Sequence, residues 1–562
     1  MARTARGGLR AARDVPPVLE GLVLTRCGGS VAVDVAARHL GALGCRSVAN
    51  QNSTGPASSA GSLQLYPVEL HQADGAELSE AEPTVRCEID WAGPVDLALQ
   101  DEAGVQAACG IMHVHGRRRG APAALCIDYA SATAGVLAVQ GVLAALLAQQ
   151  RGMGCHHVTT SVTQAALLAV SQYLAAATAA DEWSEPHLPG GPPFTSADGV
   201  RFEIETLHAA GWQRFWALLD ADPIAVAHGW PPFQHRYTTA TCPLGPELHR
   251  ITAARSFASA AAAATEAGIS ILRVRSAVAP PSPIAPWRIT ELPAHASAAL
   301  PPGPAGTGAL PLAGLVVVES CRRIQGPLAG HLLGLLGARV VRVEPPGGDP
   351  LRGAPPMVGG CSARFLALNS GKQVVELDLT TAAGRRSMCE LVTGADVFLH
   401  NWAPGKADQW DLNAERLSAV RPGLVYAGAS GWGDTLGPAP PLGTDFMVQA
   451  HSGLAALVGP EGEPSAPSLM TLTDVLGGAV CAQGVLAGLL ARAHTGRGQH
   501  VESSLLSAAT VLLQQPSRRR DAGPVDAPVC TDFAALAADP RFAAAVQHDG
   551  ATFPRAPWEF AG

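Results

Sequence analysis

Two stretches of this chain repeat one another, and any fold it adopts has to accommodate that duplication. Residues 140–148 read QGVLAALLA and residues 483–491 read QGVLAGLLA, a single difference at an offset of 343 positions. The same offset carries VQAACGIMHVHG, from Val105, onto VQAHSGLAALVG, from Val448. Gln106, Ala107, Gly110 and Gly116 thereby pair with Gln449, Ala450, Gly453 and Gly459. Helices rich in alanine and leucine resemble one another by composition, which would explain the nonamer alone. Two separated matches in one gapless register require a duplication.

Towards the start of each copy the offset changes. LEGLVLTRCGG from Leu19 resembles LAGLVVVESCR from Leu312, and HLGALGCRSV resembles LLGLLGARVV, now 293 positions apart. The first copy is therefore shorter in its middle by about fifty residues. Each copy opens with an apolar run, a glycine-containing turn, a helix-like stretch and a second run such as ARVVRVE, the pattern of strand, helix, strand. Repeated through VVELDL, ADVFLHN and LVYAGAS, it predicts an α/β chain with two Rossmann-like, doubly wound parallel-sheet domains. Ligands of such sheets bind at the carboxyl ends of the strands. Residues 186–298, with LPGGPPFTSADG, Trp212, Trp216 and Trp230, differ in character and predict a smaller α+β domain between the copies. The division expected is a degenerate α/β domain over 1–185, the small domain over 186–298, and a Pro/Gly/Ala linker over 299–311. An intact α/β domain over 312–515 and a helical tail over 516–562, opening on SRRRDAGP, follow.

With 562 residues the chain exceeds the size at which one core stops growing. Its 47% apolar and 15% charged residues suit large buried cores. A net charge of −8 with no long run of either sign gives nucleic acid no electrostatic footprint. The twelve cysteines show no C-x-x-C and no paired Cys/His spacing, so neither a disulfide framework nor a metal site is expected. The basic start MARTARGGLR leads into no apolar signal region, and the run Gly135 to Ala148 is short for a membrane span. The expectation is a cytoplasmic chain with no membrane and no nucleic-acid partner.

Over about residues 309–515 the second copy resembles the family III CoA-transferases, the CaiB/BaiF type that includes formyl-CoA and carnitine CoA-transferases. The motifs that carry the likeness are LAGLVVVE, GPLAGHLLGLLGARVVRVEPPGGDPLR, FLALNSGKQVVELDL, ADVFLHNWAPG, LVYAGASGWGDTLGP, GTDFMVQAHSGL, LMTLTDVLGG and TGRGQHVESSL, in that order. RFWALL and DGVRFEIE in the small domain, and VCTDFAALAADPRF and PWEF in the tail, look similar to the family as well. The resemblance implies transfer of coenzyme A between an acyl-CoA thioester and a carboxylic acid, with Asp474 as nucleophile and no metal or redox cofactor. Asp474 is also placed to cap the helix that follows it, since aspartate is a favoured cap. Gly477 and Gly478, or Gly190 and Gly191 of the small domain, are candidate backbone donors to an oxyanion. Gly477 and Gly478 read equally as a close packing contact. For CoA the resemblance points to Gln325, Arg342, Asn369, Lys372, Asn401 and Trp402. This sequence departs from the family pattern at Ile324, Ala403 and Ser430, and lacks the glycine-rich loop after the second copy.

Carried across the repeat, Asp474 falls on Ser131 and Asp445 on Glu102, with Asp128 three residues before Ser131. The first copy is thus expected to be a non-catalytic partner that keeps a pseudo-dimeric interface, within the chain or in a homodimer. In the family that the second copy resembles, the small domain of one chain meets the large domain of another. The alternatives are an acyl-CoA racemase or epimerase, disfavoured because Thr444 precedes Asp445 where a histidine base is needed, and a non-catalytic CoA-binding scaffold.

Overall fold

The computed structural model describes residues 15–48, 58–69, 82–181, 188–276, 285–293, 299–304, 308–515 and 527–562. The expected polar interruption SRRRDAGP and the middle of the linker lie outside the described residues. In the first copy come strands β1 (Leu22–Cys27), β2 (Arg46–Ser47), β3 (Ser59–Pro67), β4 (Val85–Asp90) and β5 (His157–Ser161). A small sheet holds β6 (Phe194–Thr195), β7 (Arg201–Glu205) and β8 (Ser270–Arg273). The second copy's sheet contains β9 (Trp287–Glu291), β10 (Val316–Ser320), β11 (Arg339–Glu344), β12 (Gln373–Glu376), β13 (Val397–His400), β14 (Val425–Ser430) and β15 (Gln499–Ser504). Its order is β12-β11-β10-β13-β14-β15-β9, parallel throughout except for β9. Helices between consecutive parallel strands make the crossovers that such pairing demands, and the direction of strand addition reverses beside β10.

The first copy departs from the expected parallel sheet. The order is β2-β1-β3-β4-β5 with a last strand β16 (Glu559–Ala561) at the edge, and β3 runs antiparallel to both β1 and β4. β1 leads through the helix Val31–Ala42 into β2, parallel beside it, and with the middle of the copy shortened the chain then returns as β3, an antiparallel neighbour that needs no crossover helix. The expected helical tail is also mixed. Among its described residues it holds one short α-helix, Phe533–Ala538, followed by a hairpin and β16.

A pseudo-two-fold axis relates the copies. The helices Tyr129–Gln150 and Leu472–Thr495 pack against each other at the centre of the molecule. Gln140 Nε2 donates to the Ala479 carbonyl at 2.7 Å, and Gln483 Nε2 to the Val136 carbonyl at 3.4 Å. Gln140 and Gln483, and likewise Val136 and Ala479, are repeat equivalents, so the contact is isologous. Both helices are long and apolar enough to cross a membrane, yet their apolar windows are almost wholly enclosed by the fold. The edge strands are exchanged between the copies: β9, which follows the small domain, runs antiparallel to β15, and β16, at the chain's end, antiparallel to β5. PWRI and PWEF open these strands. A Cβ at Gly484 would approach Trp287 to 2.9 Å and one at the equivalent Gly141 would approach Trp558 to 3.1 Å, so both glycines admit an indole against the central helix.

The small domain leaves the first copy and docks on the second. The Arg275 N–H donates to the Ala450 carbonyl at 3.0 Å and the Leu442 N–H to Ser270 Oγ at 2.8 Å. On the first copy the matching acceptor is the Ala107 carbonyl, and it receives the Cys530 N–H at 2.9 Å. There the tail takes the place that the small domain takes on the second copy. What remains of the linker is pinned by Arg151, whose guanidinium donates to the carbonyls of Pro301, Pro311 and Ala313.

Candidate active site

Asp474 stands in the first turn of the helix Leu472–Thr495, where four N–H groups lack intrahelical acceptors. It is not the cap. Thr471 occupies that position without a side-chain hydrogen bond, and the missing acceptor comes from Asp445, fully buried at the start of its own helix. Asp445 Oδ1 accepts from Thr473 N–H and Thr473 Oγ1, both at 2.6 Å, and from Asp474 N–H at 3.0 Å. Gln449 Nε2 donates to its other oxygen at 2.5 Å, and Gln449 pairs with both the N–H and the carbonyl of Ser468.

The first copy repeats this arrangement at equivalent positions, with the hydroxyl donor moved from the Thr473 position to the Asp474 position. Glu102 accepts from Ala130 N–H, Ser131 N–H and Ser131 Oγ at 2.9, 2.8 and 2.6 Å. Gln106 Nε2 donates to it at 2.9 Å and pairs with the N–H and carbonyl of Leu125. Ser131 therefore stands where Asp474 stands, and Asp128, at the helix cap, does not. The copy has kept the capping carboxylate and lost the carboxyl it caps.

Among the described residues no donor hydrogen-bonds to the Asp474 carboxyl, which keeps partial access to solvent. Burial, then the Asp445 charge and more weakly Glu205, push its pKa well above the usual carboxylate range, against the pull of Arg323. Burial likewise raises Asp445, to about 6, against the hydrogen bonds it accepts. Arg323 lies in the turn after β10 with φ 67°, a left-handed conformation that a non-glycine residue adopts at a cost. Its guanidinium lies 5.8 Å from the Tyr237 ring centroid. Tyr237, Arg236 and Thr444 all donate to the buried Glu205 carboxylate at the end of β7, and Tyr237 stacks on Phe446 at 4.6 Å. The small domain thus reaches the neighbourhood of Asp474 through Glu205 and Tyr237, two residues that the motif reading missed. Glu205 lies in the noted segment DGVRFEIE, but a carboxylate ending an apolar strand carries no mark of its partners.

Thr444 spends its hydroxyl on Glu205, and His451 packs edge-on to Trp432 with its pKa lowered by burial and by Arg275.

Several expected ligands have other employment. Gly477 and Gly478 lie beyond the first turn, where helical N–H groups are taken by preceding carbonyls. A Cβ at Gly478 would meet the Gln325 carbonyl at 2.7 Å, so the pair lets two helices touch and is no oxyanion donor. Gly190 gives its N–H to the Arg118 carbonyl, and Gly191, at φ 108°, lies against Cys242. Arg342 is buried and ion-paired to Glu319, to Glu344 at 3.0 Å and to Asp349 at 2.7 Å. Lys372, one of only two lysines, donates to Glu319 and the Pro327 carbonyl at 2.7 Å and to Asn369 Oδ1 at 2.9 Å. Arg342, Lys372 and Asn369 hold β10 and β11 to the following helices and do not present themselves to a ligand. Asn401 clamps the backbone of Arg322 through both its amide atoms, at 2.9 and 2.7 Å. Gln325 opens the helix after β10 and donates to the Ser430 carbonyl at 3.3 Å. Trp402 stays half-buried after β13, tilted on His400 at 4.6 Å and donating to Ser320 Oγ.

The family model described as CoA-transferase family III matches the chain twice, over residues 96–279 and 312–528. An acetyl-CoA:oxalate CoA-transferase from Acetobacter aceti is 36% identical over 206 residues, 36% of this chain and 53% of that protein. A succinyl-CoA:glutarate CoA-transferase from Mus musculus is 36% identical over 208 residues, 36% of this chain and 48% of that one. Among solved structures, a CaiB/BaiF family protein from Brucella suis is 34% identical, covering 37% of this chain and 56% of its own, with a TM-score of 0.35. The chain spans about half the length of the curated relatives it matches.

Proposed function

The chain belongs to CoA-transferase family III, and from that premise we propose that it moves coenzyme A between an acyl-CoA thioester and a carboxylic acid through one active site, centred on Asp474. The observation that carries the proposal is an acidic side chain with no hydrogen-bond donor of its own among the described residues, held in a helix's first turn by a second carboxylate. A carboxylate stripped of donors is a stronger nucleophile than a solvated one.

In this reading the Asp474 carboxylate attacks the thioester carbonyl, the C–S bond breaks, and CoA thiolate leaves a mixed anhydride behind. The thiolate then attacks the aspartyl carbonyl and releases the donor acid, which leaves an aspartyl-CoA thioester. An acceptor carboxylate enters by the reverse sequence and regenerates Asp474. Arg323, the cation whose charge acts on Asp474, steadies the anionic groups that pass through. The Rossmann-like second copy offers CoA the carboxyl ends of β10 and β13, where Gln325, Asn401 and the open face of Trp402 lie. The small domain supplies the opposite wall through Glu205 and Tyr237, and it belongs to the same chain as the nucleophile.

The halves complement one another in this account. The first copy retains the small domain and has lost the nucleophile; the second retains the nucleophile and has the tail in place of a small domain. The test is exchange of a labelled carboxylic acid into acyl-CoA. Asp474→Ala should lower turnover by roughly 10⁴-fold, the scale of removing a reacting group, without loss of folded protein. Near wild-type turnover in that variant would refute the assignment.

A further inference from the structure

A small open pocket lies where the first copy's turn 115–119 meets the second copy's loop 455–469. His115, Arg118 and Arg119 line it from one side and Ser468 from the other. His115 is 7% exposed; its Nδ1 pairs with Ser468 Oγ at 2.8 Å, while Nε2 is buried with no partner among the described residues. A buried polar atom left unpaired in a native fold calls for a missing partner, a water or an ion. Arg119 reaches Glu463, whereas no carboxylate pairs with Arg118 among the described residues. The carboxyl that acts on Arg118 is Glu203, which burial raises to about 8 against the pull of Arg236 and of Arg118 itself. Burial, with Arg119 and Arg118, holds His115 down to about 3, so its ring is neutral and offers one N–H.

We propose that this pocket is a binding site for a small tetrahedral oxyanion, free inorganic phosphate in class, held by the Arg118 and Arg119 guanidinium groups and by His115 Nε2–H. Guanidinium forks suit such an anion because they give parallel, charge-assisted hydrogen bonds. The proposed donors come from the first copy only. The repeat equivalents of His115, Arg118 and Arg119 are Val458, Glu461 and Gly462, which could not hold an anion. The degenerate copy thus contributes chemistry of its own. An anion there touches the hydrogen-bonded series His115, Ser468, Gln449, Asp445 that ends on the Asp474 N–H.

The full-length protein is titrated with inorganic phosphate at constant ionic strength, with chloride and AMP as parallel arms, and followed by thermal unfolding and by the ¹⁵N resonances of His115. Phosphate should raise Tm saturably and move the His115 Nε2 resonance, chloride should do neither, and Arg118→Gln, whose unliganded Tm serves as the folding control, should weaken the effect at least tenfold. No phosphate-specific shift, an undiminished shift in Arg118→Gln, or a response to AMP without one to phosphate would each overturn the assignment.

Discussion

Asp445 and Asp474 share one helix start but do opposite work, one accepting every donor nearby and the other accepting none. Two negative charges so close disfavour each other's ionisation, so removing one lowers the pKa of the other. The rate should climb with pH as Asp474 ionises, with an inflection above the ordinary aspartate range because its pKa is raised. Asp445→Asn keeps an oxygen to cap Thr473 and Asp474 and deletes the charge, so it should move that inflection to lower pH. A pH–rate profile with the limb unmoved or shifted upward would contradict the pairing. Ser131→Ala should leave turnover unchanged while costing about 1–3 kcal/mol of stability, since it removes a buried hydrogen bond to a carboxylate. Denaturant unfolding beside an exchange assay separates the two. In the sequence a motif marked Asp474 and the repeat register set Ser131 opposite it, and the two residues do occupy equivalent places beside Asp445 and Glu102. For Arg342 and Lys372 the sequence could not show their ion pairs: a cation in a ligand-binding motif and a cation neutralising buried glutamates look alike until Glu319, Glu344 and Asp349 are seen around them.

At the scale of elements, the helices Leu472–Thr495 and Gln325–Leu335 approach closely at Gly478, one turn after Asp474. Alanine at position 478 would gain helix propensity, but its methyl would stand 2.7 Å from the Gln325 carbonyl and 3.0 Å from Leu328 Cβ. Overpacking of that kind costs typically about 1–3 kcal/mol, so Gly478→Ala should lower Tm and, in the folded fraction, reduce kcat. A variant as stable and as active as wild type would show that the contact is loose. The second copy's strands were readable because parallel strands buried on both faces appear as continuous apolar runs. The first copy's were not, because the same LVLTR pattern serves a parallel or an antiparallel neighbour, and what decides is the crossover that the shortened middle no longer provides.

Across the whole molecule, exchanged edge strands and the central helix pair tie each half to the other, so neither should be self-sufficient. A fragment of residues 309–562 loses β9 from the edge of β15, uncovers the apolar face of its central helix, and forfeits Glu205 and Tyr237 beside Asp474. It should aggregate or, where folded, hydrolyse thioester without transferring CoA, because the anhydride stands open to water. A soluble fragment with undiminished transfer activity would refute the composite site. The duplication was visible in the sequence; the exchange of strands was not, since PWRI and PWEF lie outside the register of the repeat and show their equivalence only once each indole is seen beside its glycine. The central claim is that a single carboxyl, Asp474, becomes acylated, and trapping reads it directly. The full-length protein is incubated with an acyl-CoA and hydroxylamine, digested, and mapped by mass spectrometry. The account predicts a hydroxamate on Asp474 and on no other carboxyl, absent from Asp474→Ala. A hydroxamate on Asp128, Glu102 or Glu205, or none at all under turnover, would contradict it.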